Sequence, residues 1–114
     1  MSGSSVWTDM DLTPEQAAER VAAGEADLID VREPYEWDAG RIEGARHVQL
    51  HELNEFAQTH DPARPLVFVC RVGGRSAMAT DAFRQAGFDA YNIWGGVLAW
   101  ERAGLPFAGY VADH

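Results

Sequence analysis

The chain has one cysteine, Cys70, in the stretch LVFVCRVGGRS, at the junction of an apolar run and a polar, glycine-rich turn. Arg71, Gly73, Gly74 and Arg75 follow it within five residues. These residue types in this order describe a nucleophile in an anion cradle. A strand ending at Cys70 sets the sulfur beyond the carboxyl edge of a parallel sheet, where α/β folds bind ligands. A helix starting near Ser76 turns its free N–H groups and the positive end of its dipole toward the same point. The glycines let the backbone between strand and helix curl, so that successive amides converge. Such surroundings favour the sulfur anion, and the permanent charges of Arg71 and Arg75 reinforce them. A lone cysteine is more often inert and buried, but an inert one explains neither the glycines nor the arginines.

The site needs a strand, a turn and a helix in sequence, and local signals place them along the chain. Thr13 as N-cap, Pro14 at the first helical position and Gln16 as its capping-box partner open a helix that runs to about Ala23 and stops at Gly24. A strand is expected from Asp27 to Arg32, a short helix from Pro34 to near Gly40, a strand from Ala45 to Leu50 and a helix from His51 to Thr59. Leu66 to Cys70 is apolar throughout, as a strand covered on both faces should be. Ala79, Ala82, Phe83 and Ala86 recur at helical spacing from Ser76 onward, with Gly87 as the stop. Asp89 to Trp94 reads as a strand, Gly95-Gly96 as a turn and Val97 to Ala103 as a last helix. The alternation predicts an α/β fold, its mostly parallel central sheet flanked by helices on both faces. One domain is expected over residues 1–114, with its core over about residues 8–107.

Composition removes several classes of function. A formal charge of −9 argues against nucleic acid and anionic membrane as partners. No window of 18 apolar residues suggests a membrane span, and the opening MSGSSVWTDMD has no basic or hydrophobic region of a secretory signal. All nine basic residues are arginine, which excludes a Schiff-base lysine or a phosphate-loop lysine. One free thiol suits a reducing compartment, so a cytoplasmic location is expected.

Other polar residues have blander readings. Asp30 and Arg32 alternate along a strand and fit a structural ion pair beneath the loop. His47, His51 and Glu52 straddle a strand and a helix, so no metal site is expected of them. Glu33, Glu36 and Asp38 suit the solvated start of a helix. Ser76 could donate to the sulfur or cap the helix, and capping is the simpler role. Trp37, Trp94 and Trp100 are expected in the core, although Trp94 ends a strand on the loop side and stands where a pocket wall would be. Trp7 is expected to pack the N-terminal segment onto the domain.

Cysteine phosphatases space cysteine and arginine as Cys-x5-Arg, whereas Cys70 and Arg75 are one residue closer, and the tighter ring suits a smaller group. The loop CRVGGRS resembles the active-site loop of the rhodanese family of sulfurtransferases. The resemblance extends along the chain: LIDVREPYEWDAGRIEGA (Leu28 to Ala45) is similar to the family's first signature and AGFDAYNIWGGVLAWERAGLP (Ala86 to Pro106) to its last. Arg41 replaces a frequent histidine, Gln49 a common proline, and Val72 a smaller or hydroxyl residue. The resemblance implies a persulfide carried on Cys70 and a loop of Arg71, Val72, Gly73, Gly74, Arg75 and Ser76 that binds it, supported by Asp30 and Arg32. The implied partners are a small anionic sulfur donor such as thiosulfate and a cyanide or thiol acceptor, a protein thiol included. No metal or organic cofactor is implied. The competing readings are a non-catalytic interaction module, a carrier serving one protein partner, and a phosphatase or arsenate reductase.

Overall fold

A computed structural model describes residues 10–113; the expected packing of Trp7 lies outside the described residues. Its centre is β5 (Leu66–Val69), four apolar residues that are all buried. β5 lies between β2 (Asp27–Asp30) and β6 (Ala90–Ile93), and the sheet order is β1 (Asp11–Leu12), β6, β5, β2, β4 (Arg46–His47). Every pairing in this sheet is parallel.

Alternation along the strands divides the core into two layers. Val67, Val69, Leu28 and Ile93 pack on one face against α1 (Pro14–Ala22) and α5 (Gly96–Arg102), through Ala17, Val97 and Trp100. Leu66, Phe68, Cys70 and Ile29 pack on the other against α3 (Leu53–Thr59) and α4 (Gly74–Gln85), through Leu53, Phe56, Ala79 and Phe83. The fold is therefore α/β, with a parallel central sheet flanked by helices on both faces. From β2 the chain moves outward to β4, and from β5 it moves the other way to β6. This reversal opens a crevice at the carboxyl ends of β2 and β5, where Asp30 and Cys70 stand.

Most elements fall where local signals place them, with informative exceptions. The expected strand from Ala45 to Leu50 is only the two residues of β4, because Leu50 opens a 3-10 turn (Leu50–Glu52) that runs into α3. α4 begins at Gly74, two residues earlier than expected, since Gly73 takes a φ of 110° and serves as its N-cap. Ser76 thus lies inside the first turn and does not cap the helix. Three short strands were not foreseen: β1 at the edge of the central sheet, and β3 (Gly40–Arg41) after α2 (Pro34–Ala39) with β7 (Ala108–Gly109), which form an antiparallel ribbon. No helix among the described residues is long and apolar enough to cross a membrane.

Candidate active site

Cys70 follows the last residue of β5, and its side chain is 1 % exposed. Three polar groups of its own loop converge on the sulfur. Gly73 N lies 3.1 Å away, Ser76 N 3.4 Å and Ser76 Oγ 3.3 Å. The left-handed backbone at Gly73 turns the chain back over the sulfur, a conformation that costs glycine least. Gly74, Arg75 and Ser76 make up the first turn of α4, where backbone N–H groups have no intrahelical acceptor. The geometry is a ring of donors around one sulfur atom, suited to an anion on or beside it.

α5 holds the loop from the other side. Val97 N donates to Cys70 O at 2.8 Å, and Leu98 N donates to Arg71 O at 3.1 Å. This contact requires glycine at position 96, whose φ is 65° and whose missing Cβ would collide with the carbonyls of Cys70 and Arg71. The Gly95-Gly96 pair is thus more than a turn. It lets a helix start directly on the catalytic-loop candidate.

The two arginines of the loop are already engaged. Arg75 makes a bidentate pair with Glu36, Nη1 to Oε1 at 2.7 Å and Nη2 to Oε2 at 2.9 Å. Glu36 is 1 % exposed, which corrects its reading as a solvated helix acid. Burial alone would raise its pKa, but the Arg75 hydrogen bonds, the Glu33 N–H and the charges of Arg75 and Arg32 outweigh that, and its carboxyl is held below the ordinary 4.5. The Glu36 hydrogen bond correspondingly raises the pKa of Arg75, against its burial, and the nearby Cys70 sulfur adds to the rise. Arg71 points elsewhere, its Nε donating to Ala112 O at 2.8 Å. Val72 projects outward and is 55 % exposed.

Asp30 and Arg32 form a buried bidentate pair, with Nε to Oδ1 at 2.9 Å and Nη2 to Oδ2 at 2.8 Å. Arg32 also donates to Glu36 O at 3.3 Å and Gly40 O at 2.7 Å. The pair binds the carboxyl end of β2 to the middle and the C-terminal end of α2, the helix that carries Glu36. His47 is turned to the same neighbourhood, its Nε2 2.7 Å from Arg32 O and its ring stacked on Trp37 at 4.8 Å. Trp100 is buried as expected, whereas Trp94 is 65 % exposed. The core reading of Trp94 is thereby corrected, since it follows the last residue of β6 and lines the surface hollows there.

Two functional candidates escaped the sequence reading besides Glu36. Asn92 Oδ1 accepts from Ser76 Oγ at 2.5 Å, and Asn92 Nδ2 donates to Asp11 Oδ1 at 3.0 Å. Asp11 fixes which way the amide faces, because a carboxylate only accepts. The Ser76 hydroxyl therefore has one proton and three acceptors in reach, Asn92 Oδ1, Cys70 Sγ and Gly73 O. An asparagine in the middle of the buried strand AYNI was a usable signal, since a buried amide requires partners.

Comparison with known proteins shows the family and the fold. The rhodanese-like domain family model matches residues 13–103. A protein of Pseudomonas aeruginosa named thiosulfate sulfurtransferase GlpE is 38 % identical over 90 residues, covering 78 % of this chain and 81 % of the relative. The Actinobacillus succinogenes protein of the same name is 33 % identical over 97 residues, covering 84 % and 87 %. A solved rhodanese-related protein from Thermoplasma volcanium superposes with a TM-score of 0.79 at 25 % identity, over 88 % of this chain and 98 % of that one.

Proposed function

The chain belongs to the rhodanese-like domain family, and from that premise we propose that it is a thiosulfate sulfurtransferase working through a persulfide on Cys70. The observation that carries the reading is the convergence on Cys70 Sγ of two backbone donors, Gly73 N and Ser76 N, with the Ser76 hydroxyl beside them. In the first half-reaction the Cys70 thiolate attacks the outer sulfur of thiosulfate. A Cys70–sulfur bond forms, the bond inside thiosulfate breaks, and sulfite leaves with its electron pair. In the second, cyanide or a thiolate attacks the outer sulfur of the persulfide and Cys70 departs as thiolate. No oxidant or reductant is consumed, and ping-pong kinetics follow from the covalent intermediate.

In this mechanism the backbone N–H groups of Gly73, Gly74, Arg75 and Ser76 bind the terminal sulfur anion. Arg75 acts on the loop twice, as a charge that draws the anionic donor and as the tie to Glu36. Arg71 and Val72 form the outer rim, and Asp30 with Arg32 holds the floor. The reading takes residues 1–114 as one rhodanese-like domain in the cytoplasm, where a single reduced thiol is stable.

Intact-mass spectrometry after incubation with thiosulfate tests it. The wild-type chain should gain the mass of one sulfur and lose it to cyanide as thiocyanate appears, while Cys70→Ser should gain none. A folded wild-type chain that takes no sulfur from thiosulfate would overturn the assignment.

A further inference from the structure

Two of the exposed large apolar side chains stand together directly beside the sulfur loop. Trp94 and Val72 are 65 % and 55 % exposed. They line a groove of about 510 Å³ together with Pro14, Leu98, Ala99 and Arg102. On its other side Trp94 walls a hollow of about 340 Å³ that reaches Gly73 and Asn92. A tryptophan this exposed buries little of its own surface in the fold, and such residues concentrate at sites of recognition.

The groove is mechanically continuous with the candidate site. Val72 lies two residues from Cys70, and the first turn of α5 is hydrogen-bonded to the Cys70 and Arg71 carbonyls. An occupant of the groove is therefore held in fixed relation to the sulfur. Cyanide or a free thiol needs no such wall. Cys70 is buried, so a persulfide presents little more than its outer sulfur, and an acceptor chain must bring its own thiol to that point.

Charge narrows the occupant further. Arg102 makes no ion pair among the described residues, although the chain has 18 acidic residues against nine basic. Glu15 also lines the groove and would repel an acid placed near it. We propose that the Val72–Trp94–Leu98 groove seats the cysteine-bearing segment of an acceptor protein, with an apolar side chain against Trp94 and a carboxylate at Arg102. An extended segment advances about 3.3–3.6 Å per residue, so a cysteine a few positions from the apolar anchor reaches Cys70. Its thiolate attacks the outer sulfur, the Cys70–sulfur bond breaks, and the acceptor leaves as a persulfide while Cys70 returns to thiolate. The inference rests on the sulfurtransferase reading.

The test loads the full chain with sulfur from thiosulfate, removes the excess donor, and follows discharge by intact mass. The acceptors are cyanide, glutathione and octapeptides with a Leu-Glu pair before or after a single cysteine, compared with twins that have serines instead. The better Leu-Glu peptide should discharge the persulfide at least tenfold faster than its twin. Trp94→Ser and Arg102→Glu should each remove most of that advantage and leave cyanide discharge within twofold. Equal rates for the paired peptides, or indifference to Trp94→Ser, would overturn the proposal while the sulfurtransferase reading stands. Dimerisation in sedimentation that Trp94→Ser abolishes would assign the groove to a second copy and also overturn it. A chain that never loads sulfur fails before any peptide is added, which removes the underlying reading and this inference with it.

Discussion

Glu36→Gln isolates the charge of the Glu36–Arg75 pair with little change of shape. Glutamine keeps an oxygen for the Glu33 N–H, which Glu36 now accepts at 2.9 Å, and so preserves the capping box. It replaces the second acceptor of Arg75 with an amide donor, so two bonds to a carboxylate at 2.7 and 2.9 Å become at most one, from the charged guanidinium to a neutral amide oxygen. Breaking a fully buried pair costs about 3–5 kcal/mol. Arg75 has a side chain 34 % exposed against 2 % for Glu36, so water can reach the arginine and the cost should fall to about 1.5–3 kcal/mol. For a chain of this length that is a Tm lowered by roughly 5–15 °C at pH 7. The pKa of Glu36 is depressed in the folded state, so its stabilisation is complete above the ordinary value of 4.5 and is lost as pH falls through the lower folded value. The gap between wild type and variant should therefore close in strongly acidic buffer. Thermal unfolding of both proteins across pH measures it. A gap under 2 °C at pH 7, or one that persists unchanged at low pH, would refute the electrostatic reasoning.

Three further perturbations follow from the same contacts. Gly96→Ala puts a methyl group against the Arg71 and Cys70 carbonyls at a left-handed φ, so overpacking should cost about 1–3 kcal/mol and persulfide formation should slow as the loop shifts; urea unfolding and rapid-quench mass spectrometry measure the two effects. Ser76→Ala removes the hydroxyl 3.3 Å from the sulfur, and loss of one bond to an anion, about 1.4 kcal/mol, should slow sulfur uptake about tenfold; unchanged uptake would mean the hydroxyl serves Asn92 alone. Arg32→Lys keeps the charge but puts all its donors on one nitrogen, which cannot span the Asp30 carboxylate and the Glu36 and Gly40 carbonyls that the fork reaches, so it should destabilise by about 1–3 kcal/mol, visible as a lower urea midpoint with an unchanged slope.

What could be read from the chain before its structure divides along a physical line. Local hydrogen bonding writes itself into neighbouring residues. The Thr13–Gln16 capping box forms as its spacing requires, with Gln16 N donating to Thr13 Oγ1 at 3.1 Å, and the apolar run of β5 is buried throughout. The sulfur loop was legible for the same reason, because strand, glycines and helix start are contiguous. Pairings across the fold leave no such mark. Glu36 sits 39 residues from Arg75, and Asp11 sits 81 from Asn92. An acid in the first turn of a helix is satisfied in water as well as against an arginine, so position alone could not tell Glu36 from Glu33. The N-cap was misplaced because Ser76 and Gly73 are both acceptable caps, and only the need to close the chain over a sulfur selects the glycine. The same closure explains why Arg75 could be recognised as belonging to the site while its role could not. Its charge lies close enough to Cys70 to influence the sulfur, yet its guanidinium is bound to Glu36. An arginine so tethered acts first by holding the loop in shape, and this is why the charge at position 36, not the charge at position 75 alone, should govern whether the ring of amides stays assembled.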